Sequence, residues 1–295
     1  YDDPENLQPG QTQDAVNIDF TSANAKTRGG FVCIPSLGAA SFNADSGWVE
    51  ATAAAAQFWH AMAYGNGVFV AVAFNASPLG TNDVMVSADG ITWSAVSSGV
   101  TRAWRGVAFG GGIFVAVAST GGSGSLAMYS SDGRTWTAGT SAADYGWQSV
   151  TYGLGLFVAA AYNSGTTQQI MTSPDGATWT LRTTPTAQSN YDWTGVAFGG
   201  GLFVAVDQTG GVTNTVMTSP DGITWTERTA IQNTFLCVTY GNGKFVALAN
   251  GGGSTQAMTS TDGITWTSRS TISGGSYSWN AITYGNGVFV AVNSD

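Results

Sequence analysis

A fourteen-residue pattern of the form Trp-x-x-Val-x-Phe/Tyr-Gly-x-Gly-x-Phe-Val-Ala-x returns six times along this chain, beginning at Trp59, Trp104, Trp147, Trp193, Phe235 and Trp279. Successive starts lie 45, 43, 46, 42 and 44 residues apart. A repeat cannot bury its apolar face alone, so copies must stack on one another, and a period of roughly 40–45 residues is that of a four-stranded propeller blade. This periodicity predicts an all-β, six-bladed β-propeller of four-stranded antiparallel blades.

Each copy divides into four strands, A to D. Strand A runs from the Trp to an aromatic residue, and the following Asn-Gly or Gly-Gly pair supplies the positive φ values of a tight hairpin into strand B, Phe-Val-Ala-Val. A second element alternates with the first, Met followed by Ser-x-Asp-Gly-x-Thr-Trp, with its Trp at positions 93, 136, 179, 225 and 266. Here Met opens strand C, Asp-Gly makes the turn, and Thr-Trp enters strand D. The sixth copy is missing after Trp279 and is found in degenerate form at the N-terminus, around Asp45 and Trp48. Trp48 precedes Trp59 by 11 residues, as Trp93 precedes Trp104. The expectation is therefore a ring closed by N- and C-terminal segments sharing one blade, residues 31–58 with 279–295. Closure of that kind leaves no free sheet edge to seed aggregation.

The Ser-x-Asp-Gly-x-Thr-Trp element resembles the Asp-box of sialidase-like propellers, whose usual form is one residue longer between Asp and Thr. In that family the box is a structural turn remote from substrate. The resemblance therefore implies a stabilising role for Asp89, Asp132, Asp175, Asp221 and Asp262.

Enzyme chemistry finds little support. A glycoside hydrolase of this shape needs an arginine cluster and paired acid and base groups around the central pit. Glutamate occurs only at 5, 50 and 227, and Arg182, Arg228 and Arg269 each stand three residues after a box Trp, so they belong to the scaffold of strand D. His60 is the single histidine, which leaves no His pair for a metal or an acid–base couple. It occupies a slot after the repeat Trp that is filled elsewhere by Arg105, Gln148, Thr194, Leu236 and Asn280, read here as a solvated polar position. The methionines at 85, 128, 171, 217 and 258 read as inter-blade core, and Cys33 and Cys237 as unpaired small hydrophobes. No catalytic residue, metal or cofactor is expected.

Net charge is −9 with a pI near 4.3, so the chain lacks the basic footprint that grips nucleic acid or an anionic membrane. No apolar run of about eighteen residues suggests a membrane-inserted helix.

Function is expected where the blades differ, because unrepeated loops on a rigid scaffold carry specificity. The B–C loops are rich in small polar residues. The D–A loops place Tyr145, Tyr191 and Tyr277 two residues before a blade tryptophan, with Asp144, Asp192 and Asp207 nearby in sequence. Aromatic faces beside carboxylates form a candidate sugar surface, and a solvated rim with capping tyrosines is the competing reading.

Residues 1–30 stand outside the repeat as a separate N-terminal arm. Pro9, Gly10, Asp14, Ala15, Asn17, Asp19, Phe20, Arg28, Gly29 and Phe31 resemble the opening segment of tail-nozzle and DNA-stabilisation proteins of short-tailed phages. That resemblance implies a structural propeller of a virion, docked to other virion proteins through the arm within a homo-oligomeric assembly and presenting its loops to a partner or a host-surface glycan. A free, secreted lectin and a divergent glycoside hydrolase are the alternatives.

Overall fold

The computed structural model describes residues 31–35 (backbone only), 52–55, 57–74, 82–100, 102–119, 125–162, 168–185, 191–209, 215–250, 256–269 and 279–293. They form an all-β, six-bladed propeller, with no helix among the described residues. Blade one consists of Trp59–Gly65, Val68–Ala73, Val84–Ser87 and Ser94–Val96, each strand antiparallel to the next. Blades two to five repeat this order, with inner strands Trp104–Gly110, Gly146–Gly153, Trp193–Gly199 and Phe235–Gly241. In the closing blade Trp279–Gly285 pairs with Val288–Asn293, whose other edge pairs with Phe31–Pro35. The two ends of the chain thus share one sheet. The arm of residues 1–30 and the degenerate box at Asp45 and Trp48 lie outside the described residues.

Strand B is sandwiched between neighbouring blades and accordingly reads as a continuous apolar run rather than an alternating one. Phe157–Ala161 and Phe203–Val206 are fully buried, as are Met128, Met171, Met217 and Met258 on strand C. The A-to-B hairpins use two-residue turns in which both residues take positive φ, Asn66-Gly67 at 47° and 78° being typical. Leu154 is the exception in chemistry, a branched side chain held at φ 50°.

Each box is a small hydrogen-bonded unit. In the first, Ser87 Oγ donates to Asp89 Oδ1 at 2.9 Å, and the same oxygen accepts the backbone N–H groups of Ile91 and Thr92 at 2.8 and 2.7 Å. Trp93 closes it by donating its indole N–H to the Gly90 carbonyl at 3.1 Å. The backbone N–H of Thr92, Thr135 and Thr265 is the largest reason that the carboxyls of Asp89, Asp132 and Asp262 fall to about 2. Behind the boxes, Arg182, Arg228 and Arg269 donate from Nε to Thr172, Thr218 and Thr259 on strand C at 2.9 to 3.0 Å.

The repeat tryptophans are core residues, and their buried indole N–H groups need acceptors. Trp104 donates to Asp83 Oδ2 at 2.9 Å and Trp193 to Gln169 Oε1 at 3.1 Å. In the copy where that acceptor position is Leu126, Trp147 turns instead to the Ala143 carbonyl at 3.2 Å. Phe235 has no N–H to satisfy, and its counterpart is Thr215, which donates to the Ile231 carbonyl.

Neighbouring blades join through two repeated contacts. The strand-A aromatic of one blade covers the strand-A glycine of the blade before it: Phe109 over Gly65, Tyr152 over Gly110, Phe198 over Gly153, Tyr240 over Gly199 and Tyr284 over Gly241. Likewise the box glycines at 133, 176, 222 and 263 rest on the preceding blade, against Val70, Val115, Val158 and Leu202. The closure expected from the sequence is met in strand pairing but differs at the sixth seam. Tyr64, which would cover Gly285, is 59% exposed, and nothing lies within 4 Å of a Cβ built at Gly285. Gly90 touches only Phe69 of its own blade. Among the described residues, five seams are packed by these contacts and neither contact is made at the sixth.

Candidate functional site

In every blade the A–B ladder slips by one residue just after the repeat Trp. Trp59 pairs with Ala73 and Ala61 with Val72, so His60 is the extra residue of a β-bulge. The equivalent residues are Arg105, Gln148, Thr194, Leu236 and Asn280. A bulge bends its strand and re-aims the side chain it carries. Because strand A is the innermost strand of each blade, these six side chains line a central pit, part of a cavity of about 1510 Å³ that also runs outward along the sixth seam past Met85, Trp93 and Val290.

The next residue along strand A is small in every copy: Ala61, Gly106, Ser149, Gly195, Cys237 or Ala281. The reason is close approach, since a Cβ at Gly106 would lie 3.1 Å from the Ser149 Cα, and one at Gly195 would lie 3.1 Å from the Leu236 carbonyl oxygen. A second tier lies at the end of strand B, where Tyr162 and, just beyond the strand in other blades, Ser119, Gln208 and Asn250 also line the pit. Backbone bonds from Ser119, Gln208 and Asn250 to the carbonyls of Ala103, Asp192 and Thr234 extend the ladder past the bulge and fix this tier against the first.

One corner carries charge. Arg105 lies with its guanidinium carbon 3.7 Å from the centre of the Phe74 ring, bonds through Nη1 to His60 Nε2 at 3.1 Å, and donates from Nε to Ser119 Oγ at 3.4 Å. His60 Nδ1 meets the Arg105 carbonyl at 2.9 Å. That carbonyl can only accept and the guanidinium can only donate, so the imidazole is neutral with its proton on Nδ1. Burial, and then the neighbouring Arg105, hold its pKa below the ordinary histidine value. Burial also lowers the pKa of Arg105. On the far wall Cys237 is half-buried, and loss of water around its thiol pushes it up to about 12. It is a free thiol and stays protonated at neutral pH.

The loop residues singled out from sequence do not converge on this pit. Tyr191 is 4% exposed and stacks on Trp193 with centroids 5.6 Å apart and planes at 7°, so it offers no platform to a sugar. Its hydroxyl pKa is raised by burial and by Glu227 and Asp207. Tyr145 is half-buried and tilts against Trp147 at 5.9 Å, with Asp144 exposed beside it. Asp192 and Asp207 are linked by the backbone N–H of Asp192, which donates to Asp207 Oδ1 at 2.6 Å. Asp207 is fully buried at a position where Ala73, Ala118, Ala161 and Ala249 stand in other blades, and its Oδ2 meets no partner among the described residues. Burial pushes its carboxyl up to about 6. Tyr277 lies outside the described residues. The solvent-facing tyrosine–carboxylate surface is thus corrected at Tyr191 and Asp207, which the fold has drawn inside.

The six-way slot reads in the sequence as a solvated polar position, and its residues are exposed or half-buried here; what the strand pairing adds is that all six face one cavity. Its signal was one variable residue between two strongly repeated ones.

No protein-family model and no curated protein matches the chain. Solved structures do resemble it in fold. A structure described as YCF48 bound to D1 peptide superposes with a TM-score of 0.56 at 13% identity, covering 94% of this chain and 84% of that one. YCF48 from Cyanidioschyzon merolae gives 0.53 at 16% identity over 79% and 81% of the two chains. The nidogen/laminin complex contributes a third, at 0.50 and 14% identity over 69% and 76%.

Proposed function

We propose that this chain is a non-enzymatic recognition propeller that takes a partner into its central pit, and that it serves on a phage particle, held there through residues 1–30. The observation that carries this reading is the bulge. Six backbone positions are built alike and aimed at one cavity, yet they hold six different side chains, His60, Arg105, Gln148, Thr194, Leu236 and Asn280. Constant geometry with varied chemistry is what specific binding requires, whereas packing would repeat the residue along with the position. A neutral imidazole tied to an arginine and a thiol held protonated favour binding over turnover.

Two neighbours in fold are described with a peptide and with a protein partner, which supports reading the scaffold as one that binds. Placement on a virion rests on the resemblance of residues 9–31 to the opening of phage tail proteins.

Two measurements test the proposal. The triple variant Gln148→Ala, Thr194→Ala, Asn280→Ala should lose adhesion to the host surface while unfolding at the same temperature as the parent; full adhesion by the folded variant would sink the pit. Mass spectrometry of purified particles should find the chain, and deletion of residues 1–30 should remove it. A chain made during infection but absent from particles would point to a free lectin instead.

A further inference from the structure

We infer that His60 and Arg105 form an acid-sensitive latch between blades one and two, and that the pit releases its partner when the surroundings turn acid. This rests on the reading of the pit as the binding site and adds how that site is regulated.

The latch is built from two neighbouring bulges. His60 and Arg105 hold equivalent positions in adjacent blades, and the imidazole spends both ring nitrogens on one residue, Nδ1 on the Arg105 carbonyl at 2.9 Å and Nε2 on Nη1 at 3.1 Å. In blade four Thr194 makes a comparable reach, its hydroxyl donating to the Phe235 carbonyl of the next blade at 3.1 Å. A bridge between inner strands therefore needs no titratable group. Blade one uses one.

The chemistry of Nε2 makes this bridge conditional. In the neutral ring it offers a lone pair to the guanidinium N–H. A proton there turns the acceptor into a donor and sets a second positive charge against Nη1, at a contact where neither side can accept. What remains on Arg105 is a long bond to Ser119 Oγ at 3.4 Å and the face of Phe74 at 3.7 Å, and neither carries a charge to offset the repulsion. His60 is exposed and both residues line the pit, so a proton reaches Nε2 without unfolding.

Arg105 is the charged group that faces the imidazole from the neighbouring inner strand. On its own blade the ring meets Phe74, with centroids 6.1 Å apart. Residues 75–81 and 120–124, which follow strand B in these two blades, contain no titratable side chain. Asp83 spends its carboxylate on Ser98 and Trp104, and neither it nor Arg102 is among the residues that line the pit. Across the cavity, Gln148, Thr194, Leu236 and Asn280 carry no charge, and the phenol of Tyr162 and the protonated thiol of Cys237 complete the titratable groups of the described wall.

Partial loss of water, and then the Arg105 charge, lower the imidazole pKa from the ordinary 6.5. The bridge is present above that pH, where folded and unfolded chains both carry a neutral ring, and is lost as pH falls through the lowered value. Release follows because two of the six bulge side chains lose their fixed orientation together, and a partner fitted to the latched wall must order them again.

The experiment has two parts, both on the full chain. His60 is the single histidine, so nitrogen NMR of the ring reads it directly. Nδ1 should be protonated and Nε2 bare at pH 7.5, with a reversible titration whose midpoint lies below 6.5. The Arg105 side-chain N–H signal should move with the same midpoint, and Arg105→Gln should raise that midpoint by removing the charge and the donor. Adhesion of the labelled chain to host cells is then compared at about pH 5 and pH 7.5. Wild type should lose about five-fold or more on acidification and recover on return. His60→Gln presents an acceptor that does not titrate, so its ratio between the two pH values should stay near one, whatever its level at pH 7.5.

A midpoint at or above 6.5, or an Arg105 signal that does not follow it, overturns the latch. Adhesion that stays level or rises in acid while His60 titrates overturns the release. Failure of wild type to adhere at pH 7.5 sinks the reading of the pit and the release with it, and the NMR titration still decides the latch. Should His60→Gln fold poorly, the midpoint in Arg105→Gln and the reversible loss in wild type carry the test.

Discussion

The ring of Tyr284 fills the place that a side chain at Gly241 would need, since a Cβ built there would lie 2.1 Å from the Tyr284 Cγ. The corresponding place at Gly285 is empty. Gly241→Ala should therefore destabilise by about 2–3 kcal/mol through overpacking, whereas Gly285→Ala should change stability by less than about 0.5 kcal/mol. Chemical denaturation of the two variants checks this. An equal loss at both sites would mean that Tyr64 seals the sixth seam in solution.

Asp207 sets one limb of the pH profile. Its carboxyl is raised from 3.8 to about 6 in the folded chain, so between those values the native state holds a proton that the unfolded state has released. Stability from this group is complete below about pH 4 and is lost as pH rises through 6. Asp207→Asn keeps an acceptor for Asp192 and Thr209, and Asn293 already stands at the equivalent position of the closing blade. The variant should gain about 1–3 kcal/mol at pH 7.5 and little at pH 4. A gain that does not depend on pH would refute the assignment.

The box carboxylates act in the opposite direction. Because Asp89, Asp132 and Asp262 are depressed to about 2, their contribution is present above the ordinary carboxylate range and disappears as pH falls from about 4 towards 2. Replacing all three by Asn should flatten the acid limb of a melting curve followed against pH, and an unchanged limb would count against the turn bonds.

Leu154 adopts φ 50° at a turn position where the other blades use Asn or Gly, and its side chain is 59% exposed. Left-handed backbone costs a branched residue roughly 1–2 kcal/mol, and Asn tolerates it better. Leu154→Asn should raise stability by about 0.5–1 kcal/mol, readable as a higher melting temperature. A loss would show that the leucine makes a contact worth more than the strain.

Gln169 and Trp193 should behave as a unit. Gln169→Leu leaves the indole N–H and the Tyr191 carbonyl without the bonds they have at 3.1 and 2.6 Å, at a cost of about 1–3 kcal/mol. In a Trp193→Phe background the same change should cost less, as the natural pairing of Phe235 with Thr215 suggests. A double-mutant cycle with no coupling would remove the covariation argument.

Much of this architecture is local and repeated, which is why it could be read from sequence. Asn66-Gly67 specifies a turn and Asp89 a hydrogen-bonded box without reference to anything distant, and the six-fold recurrence turned those local signals into a blade count. What escaped depends on pairing and on packing between blades. The role of His60 and Arg105 is visible only when strand A is laid against strand B and one residue is left over. Tyr191 and Asp207 have the composition of a surface loop, and their burial comes from Trp193 and from an alanine-sized slot that no propensity marks. Nor could the open seam be foreseen, since Tyr64 and Gly285 match the residues that seal the other five.

The bulges have one more consequence. Because the backbone delivers each side chain to the pit, and the small residue beside it lets neighbouring inner strands approach closely, the six bulge codons can be rewritten without altering the strand ladder or the hairpin turns. If the pit binds as proposed, the chain is a fixed lock body with six exchangeable pins. A lineage facing a changing surface could re-key it one blade at a time, and a laboratory could vary those six positions together and select on binding alone.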